Sequence, residues 1–451
     1  MAVSTFILNN RFGYGIRPGA PAATSVAEAL AGLTARDPLE KTFRRPSIRD
    51  RIKLYEEDRK LRRDERNKIA GATERRKEHR KKIRTLIAED RRAFLARASL
   101  SDFGFRERLV GFWTDHFTVA GKNQQLRLAI GSYVDEAIRP NIAGNFSALL
   151  KAVVTHPAML LYLDQNASVG PNSPVGKRRG RGLNENLARE ILELHTMGVE
   201  GGYTQDDVRQ FAELLTGFGI GRNGFSFDPK RAEPGAETVL GKSYGGGQPS
   251  ADDVFAFLDN LAVHPDTAIN IGRKLAVHFV SETPSQALVD AIAAAYRDSK
   301  GDLVATYEAM LTHPASATPK REKVKQPMEY VVSTVRALDI GDVLAGSPVR
   351  ELRDGLAVPM MAMGQELLRP PGPDGWSEAG ADWITPPALA ARIEWATLIA
   401  REYGQDTDPR ELLLQVLGED TSNALKVAVA GAESKWEGVA LLLVSPEFNR
   451  R

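Results

Sequence analysis

Apolar residues recur at intervals of three and four over most of this chain, the spacing of a helix with one buried face. In SDFGFRERLVGFWTDHF, the residues Phe105, Leu109, Phe112, Trp113, His116 and Phe117 fall on that spacing and predict a core helix, with Ser101 or Asp102 as its cap. The same reasoning predicts helices over residues 126–138, 146–154, 158–163, 186–197 and 205–218, the last with Thr204 as N-cap. A short helix near residues 25–33 follows a glycine- and proline-punctuated loop at 12–19. Strand character is confined to residues 225–228 and 237–240, joined by PKRAEPGA, which read as one small β-hairpin near 224–241. Beyond the glycines at 245–247 the helical pattern resumes and runs to Arg451, interrupted by the rigid loop LLRPPGPDGW at 367–376. The predicted fold class is all-α, a mainly helical bundle or array with that hairpin.

Residues 49–100 are almost continuously charged, without internal proline, and carry a thin apolar stripe that includes Ile52, Leu61, Ile83 and Phe94. This predicts a long helix, or a helical hairpin turning near Gly71. Three regions follow: an N-terminal loop and short helix (1–40), a charged basic helical arm (41–100) and a helical main domain (101–451) built around residues 170–203. His-Pro occurs three times after an apolar run, at His156, His264 and His313. Proline suits the first turn of a helix and restricts the residue before it, so each reads as a joint between two helices.

Charge changes this picture in one respect. Net charge is +2, yet residues 41–92 hold 21 Lys/Arg against 10 Asp/Glu, so the arm is basic and the remainder acidic. The arm lacks interleaved aromatics, which argues against specific nucleic-acid recognition. The chain contains no cysteine, which excludes disulfides, thiolate metal sites and cysteine nucleophiles. No apolar run approaches the roughly 18 residues needed to span a bilayer, and the N-terminus lacks the basic and apolar regions of a secretory signal. The chain is expected to be cytoplasmic as it stands, reaching the envelope only through a partner.

Candidate chemistry concentrates in residues 170–203. Lys177, Arg178, Arg179 and Arg181 form a glycine-rich cationic loop ahead of a helix that opens at Asn184, a reasonable anion site because helix N-termini favour negative charge and arginine binds oxyanions bidentately. On a 100° wheel, Glu185, Arg189 and Glu193 make a charge ladder. Glu190 and His195 fall at opposite margins of the apolar stripe and diverge. His116 lies on the apolar face of its own helix beside Asp115, and Asp164 stands where the chain leaves the run MLLYLD.

The segments GKRRGRGLNENLAREILELHTMGVEGGYTQDDV, RFGYGIRPG, ERLVGFWTDHFTV, RPNIAGNFSALLKAVVTHPAMLLYLD, RKLAVHFV and LLRPPGPDGW together resemble the bacterial "domain of unknown function 1800" family, over nearly the whole chain outside the arm. The resemblance carries no settled activity. It implies an association with exported, sulfatase-like partner proteins, and hence a cell-envelope role.

Two functions are expected from these readings. The first is binding of an anionic partner or polymer, through the cationic loop (Lys177, Arg178, Arg179, Arg181, Asn184) and the arm. The alternative is a helical hydrolase acting on an acidic polysaccharide, with Glu190, His195, His116 and Asp164 as acid–base groups and Tyr203, Trp376 and Trp383 stacking on sugar. No cofactor is specified. No metal site is expected, because Glu190 and Glu193 stand at the wrong offsets from His195 for a Glu-x-x-His pattern. No nucleophile elbow or dinucleotide fingerprint is present.

Overall fold

A computed structural model describes residues 3–180 and 182–451, with the side chains of Arg179 and Leu344 outside the described set. The chain is mainly helical, and among the described residues the strands form two separate antiparallel pairs. β1 (Phe218–Gly221) pairs with β2 (Gly224–Phe227), and β3 (Ala236–Val239) with β4 (Lys242–Gly245). The predicted strand segments therefore exist but do not pair with each other. Each has a nearer partner across a two-residue turn, and in the second turn Leu240 and Gly241 both take positive φ (51° and 73°), the conformation that tight hairpins favour. PKRAEPGA becomes the connection between the hairpins.

The charged arm is a helical hairpin. α1 (Ile48–Arg66) runs antiparallel to α2 (Ala72–Leu100), and the chain reverses at Gly71 in the left-handed region (φ 70°). The base of the hairpin is buried in the body, since Ala93 to Leu100 are all shielded from solvent. There Arg51 forms two charge-assisted bonds to Asp90 (2.6 and 2.8 Å) and donates to the Leu128 carbonyl. Gly131 makes room for that pair: a Cβ at this position would lie 2.3 Å from the Asp90 carboxyl carbon. Arg45 binds Asp135 beside it.

α3 (Gly104–His116) is the core helix predicted from the periodicity, although its N-terminus has no side-chain cap and Ser101 instead accepts from the Phe103 N–H. Phe105, Phe112, Trp113 and Phe117 pack with Phe12, Phe146, Phe279 and Tyr307 in one aromatic cluster at the centre. α4 (Gln124–Tyr133) packs against α5 (Pro157–Tyr162). The cationic loop expected at 177–181 is partly helical: α6 (Pro174–Arg179) places Lys177 and Arg178 in the last turn of a short helix ending at Gly180 (φ 60°). Arg181 lies outside the described residues.

α7 (Asn186–Glu190) continues directly into a wide π-helical turn, Ile191–Thr196. α8 (Gln205–Leu214) starts at Thr204, which forms a reciprocal capping box with Asp207. α9 (Pro265–Phe279) and α10 (Pro327–Ala337) bring the C-terminal half onto α3. All three His-Pro histidines cap the helix that follows: Nδ1 of His156, His264 and His313 accepts the N–H two residues on, at 3.1, 3.2 and 3.2 Å. Among the described residues no helix is long and apolar enough to cross a membrane.

Candidate functional site

A cavity of about 70 Å³ opens where α3, α9, the start of α10 and the loop around 365–376 meet. α3 supplies Arg108, Phe112 and Asp115, spaced by four and three residues and so on one face. α9 supplies His278, one turn after Lys274. The loop closes the cavity with Gln365, Leu367, Pro370 and Trp376. Its backbone sits directly on Asp115: the Trp376 N–H is 3.1 Å from both carboxylate oxygens, and a Cβ on Gly375 (φ 85°) would be 2.7 Å from Asp115 Oδ2. Only glycine tolerates both that φ and that approach.

His278 is buried and held from one side. Its Nδ1 is 2.5 Å from Glu378 Oε1, while Lys323 Nζ donates to Glu378 Oε2 (2.6 Å) and to the Glu378 carbonyl (3.0 Å). An ionised carboxylate only accepts, which assigns the imidazole proton to Nδ1 and leaves Nε2 with a free lone pair. That Nε2 is buried and, among the described residues, without a hydrogen-bond partner. Burial lowers the His278 pKa to about 4, against the opposing pull of Glu378. Burial alone would raise Glu378, but His278 and Lys323 outweigh it and hold the carboxyl well below its usual range.

Asp115 is driven the other way. Burial raises it to about 8; the N–H of Trp376 and the charge of Lys274 oppose this, and Glu378 and Asp374 add to it. The cavity therefore presents a protonated carboxyl and a neutral imidazole near neutral pH, two groups whose surroundings separate their pKa values. The hydroxyl of Thr114, also lining the cavity, is buried without a partner.

An ion network forms part of the same wall, with Arg108 and Glu329 both lining the cavity. Glu329 accepts from Arg451 Nε (2.9 Å) and Nη2 (3.1 Å) and pairs with Arg108. Burial would raise Glu329, but the two arginines hold it at about 2. Arg451 also donates to the carbonyls of His278 and Phe279, tying the end of α9 in place.

The groups singled out from sequence occupy separate places. His116 and His195 meet: the His116 Nε2–H donates to the His195 carbonyl (3.1 Å), with ring centroids 6.2 Å apart. Both are fully buried in the aromatic cluster, and burial followed by the charge of Lys274 pushes both pKa values down, that of His195 to about 3. His195 lies in the π-turn and is fully buried, deeper than the stripe margin that the wheel gave it. Glu190 is half-buried at the edge, raised by burial and then by Glu193 and Asp374. Asp164 is exposed at positive φ (57°), and among the described residues no hydrogen bond or ion pair joins it to the others.

Lys177 and Arg178 are exposed on α6, which packs on the connection after β2 through the Val175 N–H to Lys230 carbonyl bond. Asn184 uses its Oδ1 to accept the Asn186 N–H at the start of α7. Arg189 does pair with Glu185 (3.1 Å). Among the described residues no group of three or more His, Asp or Glu side chains is placed to hold a metal ion.

Sequence reasoning passed over Asp115, His278 and Glu378. The first two had a usable signal: Asp115 shares a helical face with Arg108, and Lys274 and His278 share one in RKLAVHFV. Glu378 had none, since its partner is 100 residues away.

A family model described as "Protein of unknown function (DUF1800)" matches residues 7–450. No curated protein and no solved structure matches the chain.

Proposed function

We propose that this chain, which belongs to the DUF1800 family, is a hydrolase that works by general acid–base catalysis in the Asp115–His278 cavity. The observation that carries this reading is the free, buried Nε2 of His278, held by Glu378 from behind and sharing one cavity with Asp115. A carboxylate behind an imidazole fixes its tautomer and stabilises the imidazolium that forms when the far nitrogen takes a proton. His278 serves as the base toward an attacking water. Asp115, protonated at neutral pH, serves as the acid toward the leaving oxygen. Water loses its proton to Nε2, its oxygen bonds to the electrophilic centre, and the departing oxygen takes the Asp115 proton. A proton passed back from His278 to Asp115 through solvent restores both groups.

The cavity has room for about two waters. That suits a reacting group with one water, the rest of the substrate lying outside past Trp376. The half-buried indole of Trp376, 5.8 Å from that of Trp383, favours a sugar ring there. The acid and base therefore differ from the Glu190 pairing expected from sequence, while the polysaccharide substrate class is retained.

The test is release of reducing ends or of a chromogenic leaving group from acidic polysaccharides and from aryl glycosides and esters. Turnover is expected to form a bell between about pH 4 and pH 8, the values of the two groups. His278→Gln and Asp115→Asn should each lower kcat by about 10²-fold or more, with circular dichroism unchanged. Full turnover in either folded variant would remove that residue from the mechanism.

One observation supports a second reading, binding of an anionic polymer: Lys177 and Arg178 are exposed and make no ion pair among the described residues. Retention on an alginate column, lost with salt and in the Lys177→Gln/Arg178→Gln variant, is the expected result. Equal retention of the variant would count against it.

A further inference from the structure

A second concavity lies between the charged arm and the body, lined by a different set of residues from the acid–base cavity. Its volume is about 360 Å³, within the range of small-molecule sites. One wall is a face of α1 built by Ile48, Ile52, Tyr55 and Arg59, spaced by four, three and four residues. The floor is aliphatic, formed by Leu128 of α4, Leu161 of α5 and Ile220 of β1.

Charge is placed at the rim. Arg59 on α1 and Arg222 in the β1–β2 turn are both exposed, and among the described residues neither guanidinium makes a hydrogen bond or ion pair. Among the described residues Glu56 is the single carboxylate lining the groove. Arg51, deeper in, is already saturated by Asp90 and the Leu128 carbonyl. The free charges thus sum to one positive. An aliphatic floor with one tyrosine suits an alkyl chain better than a sugar, which would stack on aromatic faces. Two free guanidinium groups at the mouth suit a single carboxylate.

We infer that this groove binds a medium-chain fatty acid, its alkyl chain on Leu128, Leu161 and Ile220 and its carboxylate between Arg59 and Arg222. The inference is independent of the acid–base reading, because the two cavities share no lining residue.

Isothermal titration of the full chain with dodecanoate, below its micellar concentration, tests it. One saturable site is expected, with affinity falling as salt rises. Dodecanol should bind at least tenfold more weakly, and acetate should not bind. Arg59→Gln/Arg222→Gln should weaken dodecanoate at least tenfold, while dodecanol binding stays unchanged. These arginines are exposed and unpaired, so the variant is expected to fold. Ile220→Glu, which puts a carboxylate on the half-buried floor, should abolish binding of both ligands. Equal binding of dodecanoate and dodecanol, unchanged affinity in the double arginine variant, or unsaturable uptake of many molecules would each overturn the assignment.

Discussion

At the scale of single residues, the decisive feature is how differently two buried carboxyls are treated. Glu329 has two arginines against it and is held at about 2, so it stabilises the fold above the ordinary glutamate value of 4.5 and loses that contribution as pH falls toward 2. Glu329→Gln should destabilise the protein by about 3–5 kcal/mol near neutrality, because it strands Arg108 and Arg451 in the interior. Urea melts should show the difference from wild type shrinking toward pH 2. Asp115 has the opposite sign. Its pKa rises from 3.8 to about 8, so its favourable contribution is complete below 3.8 and is lost as pH rises through 8. Asp115→Asn should therefore raise Tm relative to wild type at pH 8.5 and leave it nearly unchanged at pH 4. A constant Tm difference across that range would contradict the assignment. None of these partners could be read from spacing. His116 was visible because it stands in a periodic run, whereas Asp115, one residue earlier, takes its character from Trp376 and Glu378, far away in the chain.

Among the elements, most helices follow from apolar periodicity and local caps, both of which are nearest-neighbour properties of the chain. Thr204 and the His-Pro joints belong to this class. A histidine cap satisfies one N–H of the helix it opens, so His264→Ala should cost about 1 kcal/mol, measurable by denaturant melts as a shift in midpoint at unchanged slope. What spacing could not supply was the departure from 3.6 residues per turn at Ile191–Thr196, within which His195 is buried. The strand pairing was likewise hidden. Both predicted strand segments were visible, but the choice of partner depends on turn geometry at Leu240 and Gly241 that composition does not announce.

Across the whole molecule, the arm and the body are one packed unit at their junction and separate beyond it. Asp90 lies where α2 enters the body, pressed against Gly131 and clasped by Arg51. Gly131→Ala should force that carboxylate out of place and loosen both the arm and the fatty-acid groove. Its thermal transition should fall by several degrees, since a buried ion pair broken on one side costs about 3–5 kcal/mol. The charged arm was legible as a long helix or a helical hairpin turning near Gly71, and the structure makes it the hairpin. Its buried root was not, because the residues that receive it come from α4. The same geometry has a dynamic consequence. α2 is about 43 Å long at 1.5 Å per residue, anchored at Ala93–Leu100 and mostly exposed toward Gly71, where only Ala72, His79 and Ile83 are buried. Its amides should exchange with deuterium along a gradient, within seconds to minutes near the tip and only on global unfolding at the root. One continuous helix would then record two levels of stability along its length, and the residue at which protection rises would mark where the body begins.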